Sequence, residues 1–213
     1  MGIKVHCLYG VPGLLYGIAA LVLSSSDVNL IEGHSKATLS NLMRLHAKTP
    51  RAVVYFLAGS LPGVALIHLQ QISLFGVINR LPGSILHKIA CNTFSTGIIP
   101  KTSWFWQIQK LCMNYALPHP LELLQSSPTK SAFKILVKKK IIDLWESTLR
   151  EEAAKLPSLR FFNPLCMSIQ KSHPLWTTAG SSPAKVAKAT VQALMLLGRY
   201  RTESLTKHWG LNK

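Results

Sequence analysis

The chain has 213 residues, 48% of them hydrophobic, enough to bury one large core or two small ones and too apolar for a disordered chain. Its 24 Lys and Arg face only 8 acids, and a formal charge of +16 points to nucleic acid or an anionic surface as partner. Acids are also badly placed for carboxylate chemistry: Asp27 and Asp143 are the only aspartates, and before residue 122 only Asp27 and Glu32 occur.

Residues 5–23 are almost wholly apolar and follow Lys4. Such a run fits a signal peptide with Ser24 to Ser26 as its small-residue end, a marginal membrane span, or a buried segment. Pro12, Gly13 and Gly17 weaken a membrane helix, so the expectation is a segment buried in the fold, with a membrane as an unfavoured partner. Ser26 and Asp27 start a helix running to about His46, and Thr49-Pro50 starts another that Gly59 ends. Ser60 caps the next, through Arg80. The uncharged stretch Ala52 to Ile78 is thereby cut into two core helices rather than one span. Leu81-Pro82-Gly83 is a turn, and Ser84 opens a helix to about Phe94. Thr102 and Ser103 cap a helix that carries Trp104, Phe105, Ile108, Leu111, Cys112 and Tyr115 on a helical period, and Leu117-Pro118-His119-Pro120 breaks it.

Residues 128–155 read as one long helix. Pro128 stands at its first position after a Ser pair, and Phe133, Val137, Ile141, Trp145 and Leu149 recur every fourth residue, with Leu136 and Leu144 widening the stripe. Lys130, Lys134, Lys138, Lys139 and Lys140 load its first half and Glu146, Glu151 and Glu152 its second, against the preference of the helix dipole. Pro157, Pro164 and Pro174 make 157–178 extended or irregular, with strand conceivable only near 159–171. Ser182-Pro183 starts a helix that Gly198 ends, and Thr202 caps a last short helix carrying Trp209. The reading is an all-α, irregular multi-helix bundle of roughly nine helices, divided into regions 1–116 and 117–213.

Several chemistries lack their residues. Two-metal nucleotidyl transfer needs converging carboxylates, and there is no phosphate-cradling Gly-rich loop with a following Lys and no nucleophile elbow. Cys7, Cys91, Cys112 and Cys166 share no CxxC spacing; His87 and Cys91, four apart, supply two ligands where a tetrahedral metal needs four. The expectation is a non-catalytic chain with no metal, no cofactor and no small-molecule substrate, and reduced thiols fit the nucleus or cytoplasm. The positive signal is basic. Lys138 to Lys140 form a run, Lys185 and Lys188 share a helix face, and Arg199-Tyr200-Arg201 interleaves phosphate-binding cations with a ring that stacks on unpaired bases. These eight residues are the expected contacts to RNA or DNA. A solvated charged face for the lysines, and a core role for Tyr200, stay open as alternatives.

In order along the chain, Pro12-Gly13-Leu14-Leu15-Tyr16-Gly17, then Asp27, Leu30 and Glu32, then Leu57, Gly59, Leu61 and Pro62 are similar to the P-x-L-L-Y-G and L-x-G-x-L-P segments of non-LTR (LINE-like) retrotransposon reverse transcriptases. Leu117-Pro118-His119-Pro120-Leu121, Trp145 with Leu149-Arg150-Glu151-Glu152-Ala153, His173-Pro174-Leu175-Trp176 and Gly198-Arg199-Tyr200-Arg201-Thr202 resemble later landmarks. The match covers nearly the whole chain. It implies the region downstream of the polymerase active site: a thumb-like part in 1–116 and a helical linker in 117–213. On that resemblance Met1 opens past the catalytic aspartates and Lys213 precedes the Cys/His segment that commonly follows, so a non-catalytic fragment is expected. Ala19 stands where many members carry an acid. A membrane-associated basic protein anchored by residues 5–23, and a degenerate reading frame without function, are the rival readings.

Overall fold

The computed structural model describes residues 3, 6, 10–126, 128–159, 162–163, 167–179 and 182–197. Among them are ten α-helices and no strand, so the fold is all-α. The helices are α1 (Val11–Leu14), α2 (Ser25–Leu42), α3 (Arg51–Ala58), α4 (Gly63–Asn79), α5 (Ile85–Thr96), α6 (Trp104–Asn114), α7 (Pro120–Gln125), α8 (Lys130–Ala154), α9 (Pro174–Ala179) and α10 (Pro183–Leu196). Turns of 3-10 helix form at Ile18–Ala20 and Pro157–Leu159. Residues 157–178 therefore hold helical pieces as well as irregular chain, because Pro157 and Pro174 each stand first in a helical turn, where a missing N–H costs nothing.

The ends are set by local hydrogen bonds. Ser24, rather than Ser26 or Asp27, caps α2: its Oγ accepts from the Asp27 N–H at 3.2 Å, and the Asp27 carboxylate accepts from the Ser24 N–H at 3.2 Å, a reciprocal capping box. Ser84 and Ser103 accept from the N–H groups of His87 and Trp106, as their positions predict. Thr129 rather than the Ser-Pro pair caps α8, accepting from Ala132 at 3.4 Å. Two helices are opened by a His-Pro pair: His119 Nδ1 accepts from Leu121 and His173 Nδ1 from Leu175, both at 3.3 Å. The first makes α7, a helix absent from the sequence reading because Leu117 to Pro120 looked only like a break. Helices α2 and α6 close in Schellman turns, Leu45 N–H to Ser40 O at 2.8 Å and Leu117 N–H to Cys112 O at 2.9 Å. The left-handed position in them is held by Arg44 (φ 53°) and Ala116 (φ 47°), where glycine is usual.

The described residues fall into two compact units, neither continuous in sequence. The larger is drawn from Lys4–Lys36 and Leu61–Ser147. Its core gathers Ile72, Phe75, Phe94, Ile108, Leu111, Phe133, Val137 and Ile141, with Phe94 edge-on to Phe75 and Phe105. Close approach is licensed by small residues: a Cβ on Gly76 would lie 2.4 Å from the Phe133 ring. Several polar groups inside it are paired. The Trp145 indole N–H donates to the Tyr115 oxygen at 3.0 Å, and the Tyr115 hydroxyl shares a hydrogen bond with His68 Nδ1 at 2.7 Å. Glu32 accepts from the Val64 N–H at the start of α4.

The smaller unit includes Ala37–Ser60 and the described residues from Thr148 onward. Helix α3 is buried from Ala52 to Ala58 and is gripped at its end by residues 171–173. The His173 N–H donates to Leu57 O at 3.1 Å and the Ser172 hydroxyl to Ala58 O at 2.8 Å. Gly59 turns away at φ 65°, and a Cβ there would lie 2.2 Å from the Lys171–Ser172 peptide. Arg51 pairs with Glu152, and the Thr190 hydroxyl donates to Met43 O at 3.3 Å.

Two expectations are corrected. The apolar run 5–23 is not buried where it is described: of residues 10–23 only Leu15 is, while Tyr16 is 91% and Leu21 53% exposed. Pro12, Gly13 and Gly17 cut it into a four-residue helix and a 3-10 turn, which cannot offer one continuous face; it is held instead by backbone carbonyls, Trp104 N–H to Ala19 O at 2.8 Å and Gln71 to Leu21 O at 3.0 Å. On α8, Leu144 does not widen the buried stripe but is 42% exposed, and Ile142 is buried instead.

Candidate nucleic-acid interface

Helix α8 carries the basic run. Its buried side at that point is Phe133, Val137 and Ile141. Successive helical residues are about 100° apart, so Lys138, Lys139 and Lys140 fan around the rest of the circumference rather than forming one patch. Lys138 and Lys139 are exposed with Lys134, and Lys140 is half-buried. Such a fan lets a helix meet phosphates on either side, and removes Lys140 from the front rank.

In the smaller unit Lys185 and Lys188, three apart on α10, are both exposed and line one groove of about 300 Å³ between α9 and α10. Leu175, Thr178 and Gln192 complete it, and no carboxylate lines it among the described residues. A second groove of about 560 Å³ in the same unit is lined by Arg44, His46, Lys48 and Leu194. The sequence reading missed it. Arg44 and Lys48 come together through the Schellman turn after α2 and the turn in which His46 Nδ1 accepts from the Lys48 N–H at 3.0 Å. The left-handed Arg44 was the available signal only in retrospect, since nothing in the sequence marks a non-glycine residue for that conformation. Arg199, Tyr200 and Arg201 lie outside the described residues.

The landmarks quoted above sit at junctions. Gly59 ends α3, His119 and His173 open α7 and α9, and Glu152 holds Arg51. Among the described residues no three His, Cys, Asp or Glu side chains converge as a metal site. His87 Nδ1 and Cys91 Sγ lie 3.6 Å apart on α5. The strongly shifted groups are interior ones. Burial holds the His68 imidazole down at about 4 and pushes the Cys112 thiol up to about 12. Burial also raises Tyr115 to about 12, against the opposing hydrogen bond from Trp145. None of these groups lines the Lys185–Lys188 groove or the Arg44–Lys48 groove. Comparison with protein-family models, with curated proteins and with solved structures finds no match to this chain.

Proposed function

We propose that this chain is a non-catalytic helical module that binds RNA or DNA through phosphate contacts, of the kind its sequence resembles downstream of the polymerase domain in non-LTR retrotransposon reverse transcriptases. The observation that carries this reading is the exposed pair Lys185 and Lys188 on one groove wall in a chain of formal charge +16. The exposed Lys138 and Lys139 on α8 and the Arg44–Lys48 groove add cations of the same use. Binding of this kind releases counterions and carries little sequence preference. Affinity for duplex DNA then falls with salt at a log–log slope of about −0.9 per phosphate neutralised. Changing Lys138, Lys139 and Lys140 together to Gln lowers that slope by about one to three, and helical content stays because Gln keeps helix propensity. The Lys185→Gln, Lys188→Gln pair lowers it by about one to two. Wild-type slopes in both variants refute the reading and leave these lysines as solvated faces. The module has no nucleotidyl-transfer activity of its own; primer extension by the purified chain with Mg²⁺, surviving changes to both Asp27 and Asp143, overturns that.

The exposed Tyr16, Leu21 and Val22 favour a second reading, a basic protein resting on an anionic membrane. No helix among the described residues is long and apolar enough to cross one. Partition of the expressed chain between membrane and salt-washed soluble fractions separates the two.

A further inference from the structure

The larger unit contains its own groove, of about 680 Å³, which none of the basic motifs marks. Three separate stretches build it: residues 22–25 with Val28 and Asn29 at the start of α2, where the Asp27 carboxylate is turned to the Ser24 hydroxyl, Val64 and His68 on α4, and residues between Lys101 and Asn114 on and before α6. Two exposed lysines, Lys101 and Lys110, stand on one wall with the half-buried Trp106 between them in sequence. The Lys110 ammonium lies over the Trp106 ring, 5.3 Å from its centroid, and its flexible four-carbon stem lets it swing off the ring when a planar group takes that face. No Asp or Glu lines the groove among the described residues. The floor is stiff: the Gln107 amide donates to Gln71 at 3.1 Å, and Gln71 donates to Leu21 O at 3.0 Å. His68, held down at about 4 by burial, adds no charge near neutral pH.

A flat aromatic face, two flanking cations and uncharged polar walls suit a ligand that is planar and apolar at one end and anionic at the other. We infer that this groove takes an unpaired nucleotide of a single-stranded nucleic acid, its base stacked on Trp106 and its flanking phosphates on Lys101 and Lys110. A base pair inside a duplex presents no free face to the ring, so the groove gives the chain a preference for unpaired strand that the α8 and α10 lysines do not. The inference rests on the nucleic-acid-binding reading above and names a site that reading lacks.

The test is fluorescence anisotropy on the full chain with a short labelled oligouridylate and a DNA duplex of equal length. Trp106→Leu weakens single-strand binding by about 5- to 150-fold, as expected for loss of one stacked base, and leaves duplex binding within about twofold. Trp106→Phe retains most of the single-strand affinity. Lys101→Gln with Lys110→Gln lowers the single-strand salt slope by about 1.4, two phosphates at about 0.7 each. Unchanged circular dichroism shows that each variant is folded, and the Lys101→Gln, Lys110→Gln pair carries the test if Trp106→Leu is not: a wild-type single-strand salt slope in that pair overturns the groove. Single-strand affinity unchanged in Trp106→Leu, or duplex binding weakened to the same degree, overturns the groove while leaving the module reading intact. Wild-type chain that binds neither probe at low salt overturns both. Adenosine monophosphate bound as tightly as the strand overturns the strand as occupant.

Discussion

Gly59 is where the packing of the smaller unit is most sensitive to one methyl group. A Gly59→Ala change has two separable costs. The left-handed φ of 65° costs an L-residue about 1–2 kcal/mol wherever it occurs. The second cost is local: the new Cβ would lie 2.2 Å from the Lys171 carbonyl carbon and from the Ser172 nitrogen, both backbone atoms that cannot rotate aside. Residues 171–173 must retreat, and the bonds from His173 N–H to Leu57 and from Ser172 Oγ to Ala58 go with them, at about 1 kcal/mol each. The expected total is about 3–4 kcal/mol. Gly97 supplies the control, because its φ is 68° and nothing lies within 4 Å of a Cβ there; Gly97→Ala bears the conformational cost alone, about 1–2 kcal/mol. Urea unfolding of both variants, followed by far-ultraviolet circular dichroism, gives the two numbers. Equal losses, or a smaller loss at Gly59, refute the close approach of residues 171–172 to the end of α3.

Two further predictions use the caps and the interior. Ala116 occupies a left-handed helix end without needing its side chain, so Ala116→Gly stabilises the chain by about 0.5–1 kcal/mol, read as a raised urea midpoint at unchanged m-value; a lowered midpoint contradicts the Schellman geometry after α6. His68 binds its proton less readily folded (about 4) than unfolded (about 6.5), so its contribution is intact above pH 6.5 and is lost as the pH falls toward 4. Between pH 7 and 4.5 that loss is about 2–3 kcal/mol, and it disappears in His68→Gln, which keeps a hydrogen-bonding group near the Tyr115 hydroxyl without titrating. A wild-type chain that loses no more stability than His68→Gln over that range places the imidazole in water.

Local sequence determined the helices, because what starts or stops a helix lies within a few residues of the end it controls. Ser84 and Ser103 stood before their helices and Gly59 after its own, each acting on N–H or C=O groups one turn away, and Pro183 opened α10 by its fixed φ at the first turn. The all-α class followed from the same punctuation, and so did the shared face of Lys185 and Lys188, three apart on one helix. His119 escaped notice because an imidazole that caps through Nδ1 looks, in sequence, like any other loop histidine. Tertiary structure decided what each face meets. On α8 a residue every fourth position advances about 40° around the axis at each step, so the stripe from Phe133 to Leu149 turns through about 160°. No single straight face is buried along it: residues 130–147 belong to the larger unit and 148–154 to the smaller, and within the larger one Leu144 lies outside and Ile142 inside. The run 5–23 shows the same limit, since hydropathy states that a segment gains by burial but not whether the chain supplies a surface to cover it. The grooves at Arg44–Lys48 and at Trp106 lay beyond any sequence pattern for the same reason. A turn geometry builds the first, and three stretches separated by tens of residues wall the second, brought together by the packing of a core that reaches the groove at Leu111.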